Sequence, residues 1–254
     1  MTSVKGSPGV TTLALSLLLA WQRPALLAEL DPAGGDLRPR ILPSLTGSHQ
    51  LLNLATLDER LTSAHLTRQV VSLDPPDHSR VLLPGLSDPA TSAPVAQIWD
   101  ELAEVLAGYQ HRAGDPYVDV LADCGRLGHA HTPSPVLARA DVVVVVLRAR
   151  LDAVALATPV LQHLRRRPDA RILPVLVQDG PYSPRDIDSA LGAQAERIAF
   201  DAKGAALLES GRWGKKLEHT ALLRSARALS RSLIRTDDAR RSPEAFLEAG
   251  QRRV

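Results

Sequence analysis

The chain has 254 residues, of which 44% are apolar and only 3% aromatic, so it can bury a full core of Leu, Val, Ala and Ile as one large α/β domain. A formal charge of +2 is too small to imply nucleic acid by itself, and the single Cys124 excludes an internal disulfide. With no run of 18 apolar residues and no signal-peptide pattern, the composition points to a soluble cytoplasmic protein.

Residues 2–4 form a very short first strand, clipped against the usual five or six, so either translation starts upstream of Met1 or the fold tolerates a stub. A glycine-rich turn follows, Lys5-Gly6-Ser7-Pro8-Gly9-Val10-Thr11-Thr12. The spacing then predicts a helix over 11–22, apolar nearly all round and stopped ahead of Pro24. A strand over 25–30 runs into the turn-rich Asp31-Pro32-Ala33-Gly34-Gly35-Asp36, and the stretch 49–73 reads as helical or irregular. Next come a strand at 80–83, an amphipathic helix at 96–109 and a strand at 118–122 that ends on Asp123. Five consecutive valines make 141–147 the plainest buried strand. A helix over 151–165 leads to Pro168, a strand over 172–177, a helix over 184–191 closed by Gly192, and a last strand over 197–200. Helices at 203–209 and 218–235 end a domain of 1–235, followed by a charged tail, 236–254, read as loose helix or disordered. Strands alternating with helices predict a three-layer α/β fold, a mostly parallel central sheet with helices on both faces.

Open sheets of this kind bind ligands at the C-terminal ends of their strands. Four segments fall there: the loop at 5–12, Glu29-Leu30-Asp31-Pro32, Leu121-Ala122-Asp123-Cys124-Gly125, and Val177-Gln178-Asp179-Gly180. The loop has the frame of a phosphate loop, G-x-x-x-x-G-K-[ST], except that Val10 stands at the lysine position. In this arrangement the chain resembles the MinD/ParA group of P-loop ATPases. Their deviant loop, K-G-G-x-G-K-[ST]-T, is matched by Lys5, Gly6, Gly9, Thr11 and Thr12, with Ser7 and Pro8 in the flexible positions. The family's D-x-D-P switch segment is similar to residues 29–32, and its D-x-[GP] strand end to residues 123–125. The wording around Asp31 to Leu37 and at Leu83-Pro84-Gly85-Leu86 looks most like the TadZ/CpaE-like branch that localises pilus machinery.

The resemblance implies ATP and Mg²⁺ as cofactors. Thr11 would ligate the metal, Thr12 would bond the α-phosphate, and Asp123 would hold a metal-bound water. Asp31 would orient the attacking water, Gln178 falls near the position where the family reads adenine, and Lys5 would reach the phosphates of a partner in a homodimer. Loss of the loop lysine at Val10 costs about 2.7–4 kcal/mol of transition-state stabilisation, roughly 10²–10³ in rate. Backbone amides and the helix dipole still offer an anion site. The expected function is therefore a nucleotide-dependent dimerising switch that positions a partner complex, with weak or absent ATP hydrolysis. The alternatives are a nucleotide-independent pseudo-ATPase scaffold and a ParA-like protein holding nonspecific DNA.

Bland readings stand beside these. Cys124 reads as a small buried residue with no basic neighbour to activate it, and His129 and His131 as a surface loop. Lys215, Lys216, Arg224, Arg227, Arg231 and Arg235 give the C-terminal helix a basic side, and Leu217, Leu222, Leu223, Leu229, Leu233 and Ile234 an apolar stripe. Such a helix contacts DNA phosphates or, more simply, packs on the domain with a solvated basic face; with no Phe or Trp anchor, a membrane role is not expected.

Overall fold

The computed structural model describes residues 1–6, 8–43, 49–110, 118–166 and 171–241, with side chains described as far as Arg235. In chain order the strands are β1 (Thr2–Ser3), β2 (Ala25–Glu29), β3 (Val71–Ser72), β4 (Arg80–Leu83), β5 (Asp119–Asp123), β6 (Val142–Arg148), β7 (Arg171–Gln178) and β8 (Glu196–Ala199). The helices are α1 (Val10–Ala20), α2 (Leu37–Ile41), α3 (Ser63–Thr67), α4 (Ser92–Ala96), α5 (Trp99–Ala107), α6 (Ser134–Arg139), α7 (Leu151–Leu164), α8 (Pro184–Leu191), α9 (Ala202–Glu209), α10 (Lys215–Glu218) and α11 (Ala221–Arg241). Two short 3₁₀ turns, Leu51–Thr56 and Pro89–Thr91, complete the set.

The strands pair in the orders β3-β4-β2-β5 and β1-β6-β7-β8, parallel throughout except for the antiparallel β3 at its edge. The two halves meet at β1. The Cys124 N–H donates to the Met1 carbonyl at 2.9 Å, and the Ser3 N–H donates to the Gly125 carbonyl at 3.0 Å. Alternation along each strand assigns the two faces. Leu26, Ala28, Val143, Val145 and Leu147 pack into one core with Trp99, Leu102, Val154 and Leu161 of α5 and α7. Leu27, Val144, Val146 and Val175 pack into the other with α1 and with Leu222, Leu229 and Leu233 of α11. Helices therefore cover both faces, and the all-round apolar α1 is explained by its place between the sheet and α11.

Several elements differ from the sequence expectation. The helix over 96–109 is split into α4 and α5, where the buried Trp99 turns in to donate its Nε1 proton to the His131 carbonyl at 3.0 Å. The helix at 218–235 is likewise two pieces. Thr220 breaks it, its hydroxyl accepting from the Leu223 N–H, while Asp201 Oδ2 accepts from the N–H groups of Ala221 and Leu222. Asp201 also caps α9 by accepting from the Gly204 N–H at 2.8 Å, and these bonds hold its carboxyl below the usual range, the Gly204 bond most. Helix α11 runs on to Arg241, past the expected boundary at 235; the tail beyond it lies outside the described residues.

The first strand is a stub. Its register reaches only Val145 and Val146 of β6, whereas β7 pairs all seven β6 residues. Below the stub, Val118 to Ala122 on one side and Val142 and Val144 on the other line a cavity of about 410 Å³, walled also by Leu17 and Ile234.

Candidate functional site

The C-terminal ends of β1, β5, β6, β7 and β8 open on a cavity of about 610 Å³, in the size range of a small-molecule site. Its floor is the loop between β1 and α1. Gly6 and Gly9 take φ of 63° and 98°, left-handed conformations that a side chain would strain. The α1 ladder begins with Leu13 N–H donating to the Gly9 carbonyl at 2.9 Å, so the N–H groups of Val10, Thr11 and Thr12 precede it and have no intrahelical acceptor. Pro8 is buried and lines the cavity without closing it. Val10 lines it too, but at 7% exposure it belongs to the core cluster of α1 and α11. Ser7 lies outside the described residues.

Asp123, wholly buried at the end of β5, accepts from the Thr11 hydroxyl at 2.6 Å through Oδ2 and from the Gly125 N–H at 3.0 Å through Oδ1. Burial pushes its carboxyl up, against the lowering effect of these two bonds. Thr11 and Asp123 thus form a hydroxyl–carboxylate pair of the residue types that hold Mg²⁺ in phosphate-loop sites. Asp31 lines the same cavity and accepts from the Ala33 N–H at 2.8 Å; its carboxylate lies against Gly125, where a Cβ would come within 2.1 Å of Asp31 Cγ. Thr12 approaches Glu209 Oε1 at 3.5 Å, and Glu209 is bound by Arg40 at 3.0 Å.

Two of the expected site residues, Lys5 and Gln178, lie outside the lining of this cavity. Lys5 is exposed and does not line the cavity; its Nζ is 2.9 Å from Asp152 Oδ2 on α7. Gln178 is exposed outside the lining, and in its stead Val177, Ile198 and Ala199 form an apolar wall with Phe200, which is 53% exposed. Glu29, 2% exposed, faces away from the cavity. Its Oε1 accepts from the N–H groups of Asp36 and Leu37, and its Oε2 accepts from Gly85. Burial raises its pKa to about 7 despite those three donors. It closes the base of the Asp31 loop, which is why Gly35 and Gly85 approach it with no room for a Cβ.

Arg126, Arg40 and Arg148, which the motifs do not single out, also line the cavity. The bland readings hold for Cys124, which is fully buried with its thiol pushed up to about 11 by burial. His131 packs against Ser92, its Nδ1 2.9 Å from the hydroxyl. The apolar stripe of α11 is spent on α1 and β8, leaving Lys215, Lys216, Arg231 and Arg235 exposed; Arg224 and Arg227 bond back to the carbonyls of His219 and Glu218.

Left-handed glycines, helix-start amides without an intrahelical acceptor and a joined Thr–Asp pair give the β1–α1 turn of this α/β fold the form of a phosphate loop. No family model and no curated protein matches the sequence. Solved structures do. A ParA family ATPase from Chlorobium tepidum is 19% identical, with 90% of this chain and 95% of that one covered at a TM-score of 0.69. MinD from Pyrococcus horikoshii complexed with Mg-ADP is 18% identical over 90% and 94%, at 0.59. A Cyanothece McdA–ATP complex is 18% identical over 91% and 95%, at 0.62. The fold of this chain is that of the MinD/ParA group of P-loop ATPases.

Proposed function

We propose that this chain is a nucleotide-dependent dimerising switch that binds ATP with Mg²⁺ and in that state positions a partner complex, hydrolysing slowly or not at all. The observation that carries the reading is the convergence on one cavity of the Val10, Thr11 and Thr12 amides, which have no intrahelical acceptor, the Thr11–Asp123 pair and Asp31. Structural relatives described as ParA, MinD and McdA proteins, two of them in complexes with ATP or Mg-ADP, support it. The residues present fit the cofactor. The amides would hold phosphate oxygens, Thr11 and Asp123 the metal and its water shell, and the apolar wall at Ile198 and Phe200 the base. Mg²⁺–ATP, when bound, supplies the phosphoryl group for transfer to water. Asp31, which lines the same cavity, would hold and orient that water, and the ammonium missing at Val10 would weaken charge stabilisation enough to make turnover slow.

The test is a titration of the full chain with ATP, with and without Mg²⁺, followed by melting temperature and light scattering. ATP should raise the melting temperature and shift the mass toward a dimer. Saturating ATP that changes neither overturns the switch and leaves the nucleotide-independent scaffold.

A further inference from the structure

Val10 leaves the phosphate loop without its own cation, so the cavity must draw positive charge from elsewhere if it is to hold a polyphosphate. The charged groups near it are mostly engaged. Arg40 bridges Asp36 at 2.7 Å and Glu209 at 3.0 Å, Arg148 binds Asp179 at 2.8 Å, and Lys5 is held outside by Asp152. Arg126 is different. It lines the cavity, its side chain is exposed, and among the described residues it makes no hydrogen bond or ion pair.

Its main chain, by contrast, is fixed. Arg126 forms a parallel bridge with Ser3, and the Leu127 N–H donates to the Ser3 carbonyl at 2.8 Å. On its N-terminal side Gly125 is pinned between Asp123, which accepts its N–H, and the carboxylate of Asp31. The result is a guanidinium with five N–H donors, always charged, on a rigid base beside Asp31, which lines the cavity, and the buried Asp123. The apolar wall at Ile198 and Phe200 takes the opposite role, so a nucleotide with its base on that wall directs its last phosphate toward Asp31, Asp123 and Arg126.

We propose that Arg126 holds the terminal phosphate of the bound nucleoside triphosphate, supplying from the β5 end the positive charge that Val10 no longer supplies from α1. This rests on the nucleotide reading of the cavity and adds to it a residue and a preference: triphosphate over diphosphate. A planar fork bonds phosphate oxygens in pairs, which an ammonium cannot do.

The experiment is calorimetric binding of Mg-ATP and Mg-ADP to the full chain, compared with Arg126→Ala, Arg126→Lys and the double variant Val10→Lys with Arg126→Ala. Arg126 is exposed, so thermal melts should confirm an unchanged fold. Arg126→Ala should weaken ATP about tenfold or more and ADP less than about threefold, with Arg126→Lys between, and Val10→Lys should restore most of the loss. If the unaltered chain binds ATP and Arg126→Ala binds it equally well, the arginine assignment is overturned while the nucleotide reading stands. A loss shared equally by ATP and ADP overturns the terminal-phosphate assignment. Failure of the unaltered chain to bind ATP at all overturns both.

Discussion

Lys5 Nζ lies 2.9 Å from Asp152 Oδ2, which ties the mouth of the phosphate loop to the first turn of α7 in the same chain. Both side chains are about half exposed, at 47% and 48%, so the pair is screened and readily exchanged. The Lys5 hydrogen bond is also the main influence that holds the Asp152 carboxyl below its ordinary value. A lysine engaged in this way is withheld from the phosphates of a second copy. Asp152→Asn removes the competitor, and ATP-dependent dimerisation measured by sedimentation should strengthen about two- to fivefold. An unchanged or weaker dimer would mean that Lys5 does not act across the interface.

Asp123, wholly buried, meets Thr11, which lines the cavity, at 2.6 Å, so the pair's value lies in what a divalent ion gains from them. Asp123→Asn keeps the shape and removes the charge. ATP binding measured with and without Mg²⁺ should lose its magnesium-dependent part in this variant, while the magnesium-free affinity stays as it is. Retention of the magnesium effect would remove Asp123 from the metal's surroundings.

How much of this was legible in the sequence depends on how local each feature is. The valine strand β6 announces itself, and its successive residues Val143 and Val144 go to opposite cores. The loop and the two carboxylates that end or follow a strand, Asp31 and Asp123, are visible because their placement follows from a few adjacent residues. Features made by distant partners are not. Asp201 caps a helix twenty residues away, β3 is two antiparallel residues that pair with β4, and Arg126 matters only because Arg40, Arg148 and Lys5 are otherwise engaged. Glu29 fits a switch motif by position, yet pleating turns it away from the cavity to close the Asp31 loop.

Gly125 is the tightest point of the site. It has φ of 60°, and a Cβ there would fall 2.1 Å from Asp31 Cγ. Gly125→Ala should therefore destabilise the chain by about 1–3 kcal/mol in urea unfolding and displace Asp31, with loss of whatever turnover exists. A variant as stable as the parent would show that the loop yields easily.

Glu29 gives the stability a pH dependence of unusual sign. Its pKa rises from 4.5 to about 7 on folding, with desolvation the largest cause and the charge of Asp123 acting the same way. The folded state thus holds the proton more tightly than the unfolded one. The stabilisation is complete below pH 4.5 and is lost as pH rises toward 7, by up to about 3 kcal/mol for this group. Asp123, also pushed up by burial, adds to the trend. Urea unfolding should show the chain losing stability between pH 5 and pH 7, and Glu29→Gln should flatten that slope. Equal slopes in parent and variant would place the titration elsewhere.

The cavity of about 410 Å³ below β1 is lined by the backbone-bearing edges of two strands, with Val118, Val120 and Leu121 on one side and Val142 and Val144 on the other. The Met1 ammonium donates to the Ala122 carbonyl at 2.5 Å, at the mouth of this slot. A strand entering it would find parallel partners on both sides and apolar walls from Leu17 and Ile234 above. Three β-branched residues placed ahead of Met1, as an engineered Val-Ile-Val extension, would each bury about 1.5–3 kcal/mol of apolar surface. Ordering them costs about 1–2 kcal/mol per backbone residue, which on the lower values leaves a net gain of about 1.5 kcal/mol. At about 2–4 °C per kcal/mol for a chain of this size, the melting temperature should rise by roughly 3–6 °C, whereas an extension of three glycines should not raise it. If the two extensions behave alike, the slot does not accept a strand in this register.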